Sequence, residues 1–294
     1  MNDPGFWSRH VFVLVSPDAI ARGVQAGLVA RLAAERFPPV AARLAHIDSD
    51  RIDELYADLI AGSWQTWRYR MIDDLFRLGP ALALICRYDG DGDPHQAISA
   101  IKGHQHPHKT RPGELRRDFG AINGILGVMH ASDSPAEAAH DASILGLTEA
   151  DVVAQQAGLT DRLALLLTLT SPASPETRDF DAVLGELRAQ LLLAFADQLS
   201  ADGKTAELAI LTKGSGPDRL AAPATAARLL ELCRGSLPPA ALDLLACGFT
   251  PSTRQGLRAA DLFATLRQTD LTLDPWQRLV LASSYYFEPA RRQW

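Results

Sequence analysis

Pro80-Ala81-Leu82-Ala83-Leu84-Ile85-Cys86-Arg87-Tyr88 decides the fold, because it is the clearest strand in the chain: a short apolar run opened by Gly79-Pro80 and closed by Asp89-Gly90. Upstream, His10–Val15 (HVFVLV) reads as a second buried strand, closed by Ser16-Pro17-Asp18. Ala19–Arg36 then carries apolar residues at helical spacing (Ile20, Val24, Leu28, Leu32), with Asp18 placed as N-cap. Val40–Ile47 follows Pro38-Pro39 as a strand, and Arg51–Ile60 and Thr66–Arg77 read as two short helices around Gly62-Ser63. Downstream come a helix over Pro94–Lys102, a polar loop over Gly103–Arg117, a last short strand at Gly127–His130 and a helix over Pro135–Leu145. This order, β-α-β-αα-β-α-loop-β-α, predicts an α+β domain of ferredoxin-like type (βαββαβ) over residues 1–147, with an added helical hairpin.

Residues 148–294 differ in character. Ala, Leu and Arg dominate, and Leu163–Leu169, Phe180–Leu199, Pro223–Arg234, Pro238–Cys247 and Leu257–Arg267 all show helical periodicity, which predicts an all-α domain of five or six helices. Two domains suit a chain of 294 residues at ~150 residues each. The formal charge of −6 (Lys+Arg 29, Asp+Glu 35) has no basic stretch to neutralise phosphates along a polymer, so nucleic acid is not an expected partner. The apolar runs are too short to span a bilayer, and Met1–His10 has no apolar core of a secretory signal. Three scattered cysteines, Cys86, Cys233 and Cys247, read as buried free thiols. A cytoplasmic protein is expected.

The residues most suggestive of chemistry are Arg116-Arg117-Asp118-Phe119-Gly120 and Met129-His130-Ala131-Ser132-Asp133-Ser134-Pro135. A histidine at the end of a strand is held by the sheet and can present a neutral nitrogen as a nucleophile. A plainer reading stands beside it, in which Ser132 or Asp133 caps the next helix and His130 simply packs. The loop histidines His104, His106 and His108 read as a solvated rim, Asp89–Asp93 as a turn rather than a calcium loop, and Trp276 with Tyr285, Tyr286 and Phe287 as core or interface. Lys213-Gly214-Ser215-Gly216 lacks the preceding glycine spacing of a phosphate-binding loop.

From His10 to about Leu147 the chain resembles the nucleoside diphosphate kinase family. The matching residues are Val13-Leu14-Val15-Ser16-Pro17-Asp18-Ala19 with Arg22-Gly23, Tyr56, Gly79-Pro80, Pro112-Gly113 through Asp118-Phe119, and His130-x-Ser132-Asp133-Ser134. The resemblance implies a γ-phosphoryl transfer between nucleotides through a phosphohistidine on His130. It also implies phosphate binding by Arg116, a serine beside the nucleophile at Ser132, Asp133 holding the water shell of Mg²⁺, and Asp141 orienting the imidazole, through a water because its side chain is short. Tyr56 and Trp64 would line the nucleotide cleft, and a homo-oligomer is implied as well.

Departures from the family pattern are as informative. Ser16 stands where a phosphate-contacting lysine is expected, Ser99 where a second arginine is, Gln105 for a threonine and Gly127 for a ribose-side asparagine. Arg117 and Ala131 replace glycines, and Arg68 lies near the position where the family has a leucine that packs on the base. Lys102, Lys109 and Arg117 are candidate replacement cations. Two functions follow: a divergent phosphotransferase with an altered donor or acceptor, or an impaired nucleotide-binding module whose helical domain docks a partner protein. A structural platform for oligomers is a third.

Overall fold

A computed structural model describes residues 5–56, 66–172, 178–201, 203–204, 207–209, 217–247, 249, 259–269 and 271–291. Two compact units divide it, Met1–Glu176 and Thr177–Trp294. The sequence reading drew a boundary at 147/148; the helices Glu149–Gln155 and Leu159–Leu169 fall inside the first unit, where both pack on the second strand. Gln155 and Arg162 fasten them there, through hydrogen bonds to the backbone amide and carbonyl of Ala42.

Unit one is built on four strands, β1 (His10–Val15), β2 (Pro39–Ala45), β3 (Ala81–Arg87) and β4 (Met129–Ala131), in the antiparallel order β2-β3-β1-β4. That is the order of the ferredoxin-like sheet expected from the sequence. Ala81–Cys86 is fully buried because both faces of the sheet are covered, which is why its sequence shows no polar alternation. Val11, Val13, Val15, Leu82, Leu84, Met129 and Ala131 join Leu28, Leu32 and Ile98 in one core. Residues in a strand alternate faces, so Leu14 and its register partner His130 lie on the opposite face from Val13 and Ala131.

The helix expected over Ala19–Arg36 is two, Pro17–Ala21 and Gln25–Ala34, broken at Gly23, whose φ of 71° is a left-handed conformation that glycine adopts freely. Asp18 is therefore not an N-cap; Ser16 occupies that position, and Asp18 is buried within the first turn. Its Oδ2 accepts the backbone N–H of Val128 at 3.0 Å, while Ser16 N–H donates to the Val128 carbonyl at 3.1 Å. Val128 has φ 62°, a strained value for a β-branched residue, so the opening turn of the chain holds the residue two before His130 in a conformation it would not adopt alone.

Burial pushes the Asp18 carboxyl above its ordinary value. A raised folded value means that its ionisation opposes folding as pH climbs through that value. Asp18→Ala, which orphans the Val128 amide, is expected to cost about 1–3 kcal/mol in urea unfolding. Asp18→Asn, which keeps an acceptor and removes the buried charge, should retain most of the stability; equal losses in both variants would contradict the tether.

The second unit is helical among the described residues. Its helices include Phe180–Ala194, Pro217–Ala221, Pro223–Cys233, Pro239–Ala246, Ala259–Gln268 and Pro275–Tyr286. The last was not among the periodic segments read from the sequence; it opens with a capping box of Asp274 and Gln277, and it buries Trp276. Arg188, 2% exposed, sends its guanidinium to the carbonyls of Leu220, Ala221, Leu245 and Ala246 at 2.7–3.3 Å, the last residues of two helices. The three cysteines are buried and unpaired, as expected. No helix among the described residues is long and apolar enough to cross a membrane.

Candidate active site

His130 is the middle residue of β4, and the helix Pro135–Ile144 follows it after one turn. Ser134 caps that helix, its Oγ accepting from Glu137 N–H, so neither Ser132 nor Asp133 is used as a cap. The capping duty falls to Ser134 rather than to Ser132 or Asp133, which frees those two for other contacts.

Ser132 Oγ donates to Asp141 Oδ2 at 2.7 Å, and the same oxygen lies 3.0 Å from His130 Nε2. The water anticipated between Asp141 and the imidazole is not needed, because Ser132 and the helix bring the short carboxylate into direct contact. A carboxylate only accepts, so Nε2 carries the hydrogen of the neutral ring and Nδ1 carries the lone pair. Asp141 is 2% exposed and His130 is half-buried.

Two cavities meet at His130, Arg116, Tyr56 and Gln105. The larger, of ≈ 870 Å³, is lined by polar and charged groups including Ser99, Lys102, Arg111, Asp133 and Glu137. The smaller, of ≈ 150 Å³, is walled by Leu14, Ile72, Leu75, Phe76 and Ile125, with Ser16 and Gly127 at its edge. The structure thus brings together Ser16, Tyr56, Ser99, Lys102, Gln105, Arg116, Gly127, His130, Asp133 and Asp141. Trp64 and the side chain of Arg68 lie outside the described residues.

Arg116 comes from the short helix Leu115–Asp118, with Nη1 on the Gly103 carbonyl at 2.9 Å and Nη2 on the Met129 carbonyl at 3.2 Å. Its buried Nε has no hydrogen-bond partner among the described residues. Burial lowers the guanidinium's pKa, though it stays charged in any ordinary buffer. Tyr56 has its phenol pushed up by burial and then by the nearby Asp141.

Lys102 is buried, and its Nζ donates to Asp133 Oδ1 at 2.7 Å and to the Ala131 carbonyl at 2.8 Å. Ser99 Oγ donates to the same Asp133 oxygen at 2.6 Å. Burial raises the Asp133 carboxyl, but the Lys102 and Ser99 hydrogen bonds outweigh it and hold the group below its ordinary value. The charge of Lys102 is therefore spent on Asp133. Lys109 and Arg117, the other candidate cations, are exposed and line neither cavity. Arg111, which the sequence reading passed over, does line the larger one, as does Glu137. The loop histidines stack in sequence, His104 on His106 and His106 on His108, with ring centroids 5.3 and 5.8 Å apart.

Residues 9–148 match the family model for nucleoside diphosphate kinase. A nucleoside diphosphate kinase of Nocardioides is 30% identical over 137 residues, 47% of this chain and 96% of the relative. Another, from Methanoregula boonei, is 29% identical over 138 residues, 46% of this chain and 85% of that protein. Among solved structures, the Aquifex aeolicus nucleoside diphosphate kinase aligns over 49% of this chain and 97% of its own at 20% identity, with a TM-score of 0.43.

Proposed function

The chain belongs to the nucleoside diphosphate kinase family, and from that premise we propose that it is a divergent phosphotransferase. It carries the γ-phosphoryl group of a nucleoside triphosphate on His130 and passes it to a nucleotide acceptor. The observation that carries this reading is the hydrogen bond from His130 Nε2 to Asp141, itself fixed by Ser132, on a ring that lines both cavities.

Nδ1 attacks the γ-phosphorus in line. The N–P bond forms as the bond to the β-bridging oxygen breaks, and the diphosphate departs with that electron pair. The ring becomes cationic as it accepts the phosphoryl group, and Asp141 stabilises it through Nε2–H. Arg116, with Nε unspent, neutralises phosphate charge, which is most of what phosphoryl transfer asks of a protein. A second substrate with a diphosphate terminus reverses the step. Asp133 fits a hydrated Mg²⁺: its carboxylate is exposed on the wall of the larger cavity, and Lys102 and Ser99 engage one oxygen, Oδ1. The ion supplies charge neutralisation on the phosphates, bound mainly through water and phosphate oxygens.

The functional boundary stays at 147/148, with the helices that cover β2 as an accessory to the domain, and self-association is part of the proposal. The test is incubation of the full chain with γ-labelled ATP and Mg²⁺. Acid-labile, base-stable label on the protein that moves on to added diphosphate is expected; absence of label overturns the reading.

A second reading is favoured by one observation. Ser16 and Ser99 bring no charge, and Lys102 is committed to Asp133, which leaves Arg111 and Arg116 as the other cations lining the cavities among the described residues. In that reading the cleft binds a nucleotide without turning it over, and the helical unit docks a partner. Nucleotide binding by calorimetry with no label on the protein would select it. Ser16→Lys separates the two further: a cation beside Arg116 should raise the labelling rate roughly 10- to 100-fold, at about 1.5–3 kcal/mol per charge-assisted contact. An unchanged rate would mean that the site has been rebuilt for another substrate.

A further inference from the structure

We propose that His130, Glu137 and Asp141 form a binding site for one divalent transition-metal ion of the zinc class, and that occupying it switches His130 off as a phosphoryl acceptor. The site itself stands on geometry and charge; its consequence for His130 rests on the function proposed above.

Glu137 and Asp141 are four residues apart on the helix Pro135–Ile144, so both carboxylates lie on the face turned toward His130. His130 Nε2 is 3.0 Å from Asp141 Oδ2 and 3.9 Å from Glu137 Oε1, and one donor atom from each of the three residues falls within 4.8 Å of the others. Donors bound tetrahedrally at about 2.0–2.2 Å stand roughly 3.3–3.6 Å apart; the two pairs made by His130, at 3.0 and 3.9 Å, bracket that spacing, and the trio closes onto one ion by movements of about an ångström or less in the side chains. Each carboxylate is already oriented from outside the trio. Ser132 Oγ holds Asp141, and Asp133 N–H holds Glu137 Oε2 at 2.8 Å, leaving Glu137 Oε1 for the ion. Such supporting hydrogen bonds are what fix metal ligands in place.

Charge gives an independent reason. Among the described residues neither carboxylate has a lysine or arginine within 4.0 Å, and Lys102, the lysine of this cleft, is bound to Asp133. Asp141 is almost fully buried, and a buried carboxylate beside a second one is costly until a cation balances them. A neutral imidazole offers only a dipole. The larger cavity supplies the entry path and leaves room for a water or phosphate oxygen as a fourth ligand. An imidazole nitrogen in the set disfavours Mg²⁺ and favours ions such as Zn²⁺ or Co²⁺.

The switch follows from proton bookkeeping. Binding the ion at Nε2 displaces the proton there, and the neutral ring takes one up at Nδ1, so no net proton is released. Nδ1 then lacks the lone pair it needs to attack phosphorus.

The test titrates Co²⁺ into the full chain and reads its visible ligand-field bands, with Zn²⁺ as competitor. One saturable ion per chain, displaced by Zn²⁺, is expected. Affinity should fall at least about tenfold in Glu137→Gln and be lost in His130→Ala. Both variants keep His104, His106 and His108, so binding unchanged in them would assign the ion to that loop and overturn the site; absence of binding would do the same. Labelling by γ-labelled ATP in excess Mg²⁺ should be suppressed by Zn²⁺ in the wild type and much less in Glu137→Gln. Binding at the trio with labelling unaffected by Zn²⁺ would overturn the switch. A chain that binds the ion but never labels would instead count against the phosphotransferase reading.

Discussion

His130→Ala is expected to leave no acid-labile phosphate on the protein, a fall in labelling of about four orders of magnitude or more, since deleting a covalent nucleophile removes the step itself. The fold should survive, because the ring is half-buried and the neighbouring strand residues Met129 and Ala131 carry the packing. Unchanged thermal unfolding would distinguish lost chemistry from lost structure. Asp141→Asn should behave differently. Its oxygen can still accept from the ring, but the charge that stabilises the cationic intermediate is gone, so a loss of about 10²–10⁴ is expected. Label persisting in His130→Ala, or label that withstands acid, would place the phosphate elsewhere and end the proposed mechanism.

The largest expected effect on stability lies in the second unit. Arg188 satisfies four carbonyls at the ends of the helices Pro217–Ala221 and Pro239–Ala246. Helix C-termini leave such carbonyls without partners and carry partial negative charge, which a buried guanidinium answers on both counts. Burial lowers its pKa to about 10, so it remains charged at neutral pH. Arg188→Met removes the buried charge but strands the carbonyls, and a net loss of about 3 kcal/mol is expected. Arg188→Lys should recover little, because an ammonium is not a planar fork and cannot serve two helix ends together. Hydrogen exchange would read the outcome: faster exchange in Phe180–Ala194 and Pro239–Ala246, with β1 and β3 unchanged. Variants within about 0.5 kcal/mol of wild type would show that water replaces the guanidinium.

Much of the first unit is legible in its sequence because its strands are short apolar runs between turn residues. His10–Val15 and Ala81–Arg87 are marked by composition alone, and the order of elements then limits the sheet to few topologies. Gly23 was visible as a residue but not as a break, since the apolar spacing runs on through it. The site was legible only as far as local order reaches. His130, Ser132 and Asp141 fall within twelve positions, and their contacts follow from one strand, one turn and one helix. The fate of Lys102 could not be read that way. Asp133 lies 31 residues further along, and only the packing of β4 beside the helix Pro94–Lys102 brings the two together. Glu137 was hidden for a different reason: an acid in the first turn of a helix is already explained by the dipole, so nothing in the sequence asks for a second role.

β4 has a duty besides carrying the imidazole. It is three residues long, and among the described residues it alone pairs the outer side of β1, a six-residue apolar strand whose inner side is taken by β3. Such a strand with a bare flank is a template for other chains. The seat of β4 depends on the Asp18 tether to Val128, so whatever loosens this strand also uncovers the flank. Mobility around His130 would invite aggregation, and that sets an upper bound on how loosely this chain can hold β4.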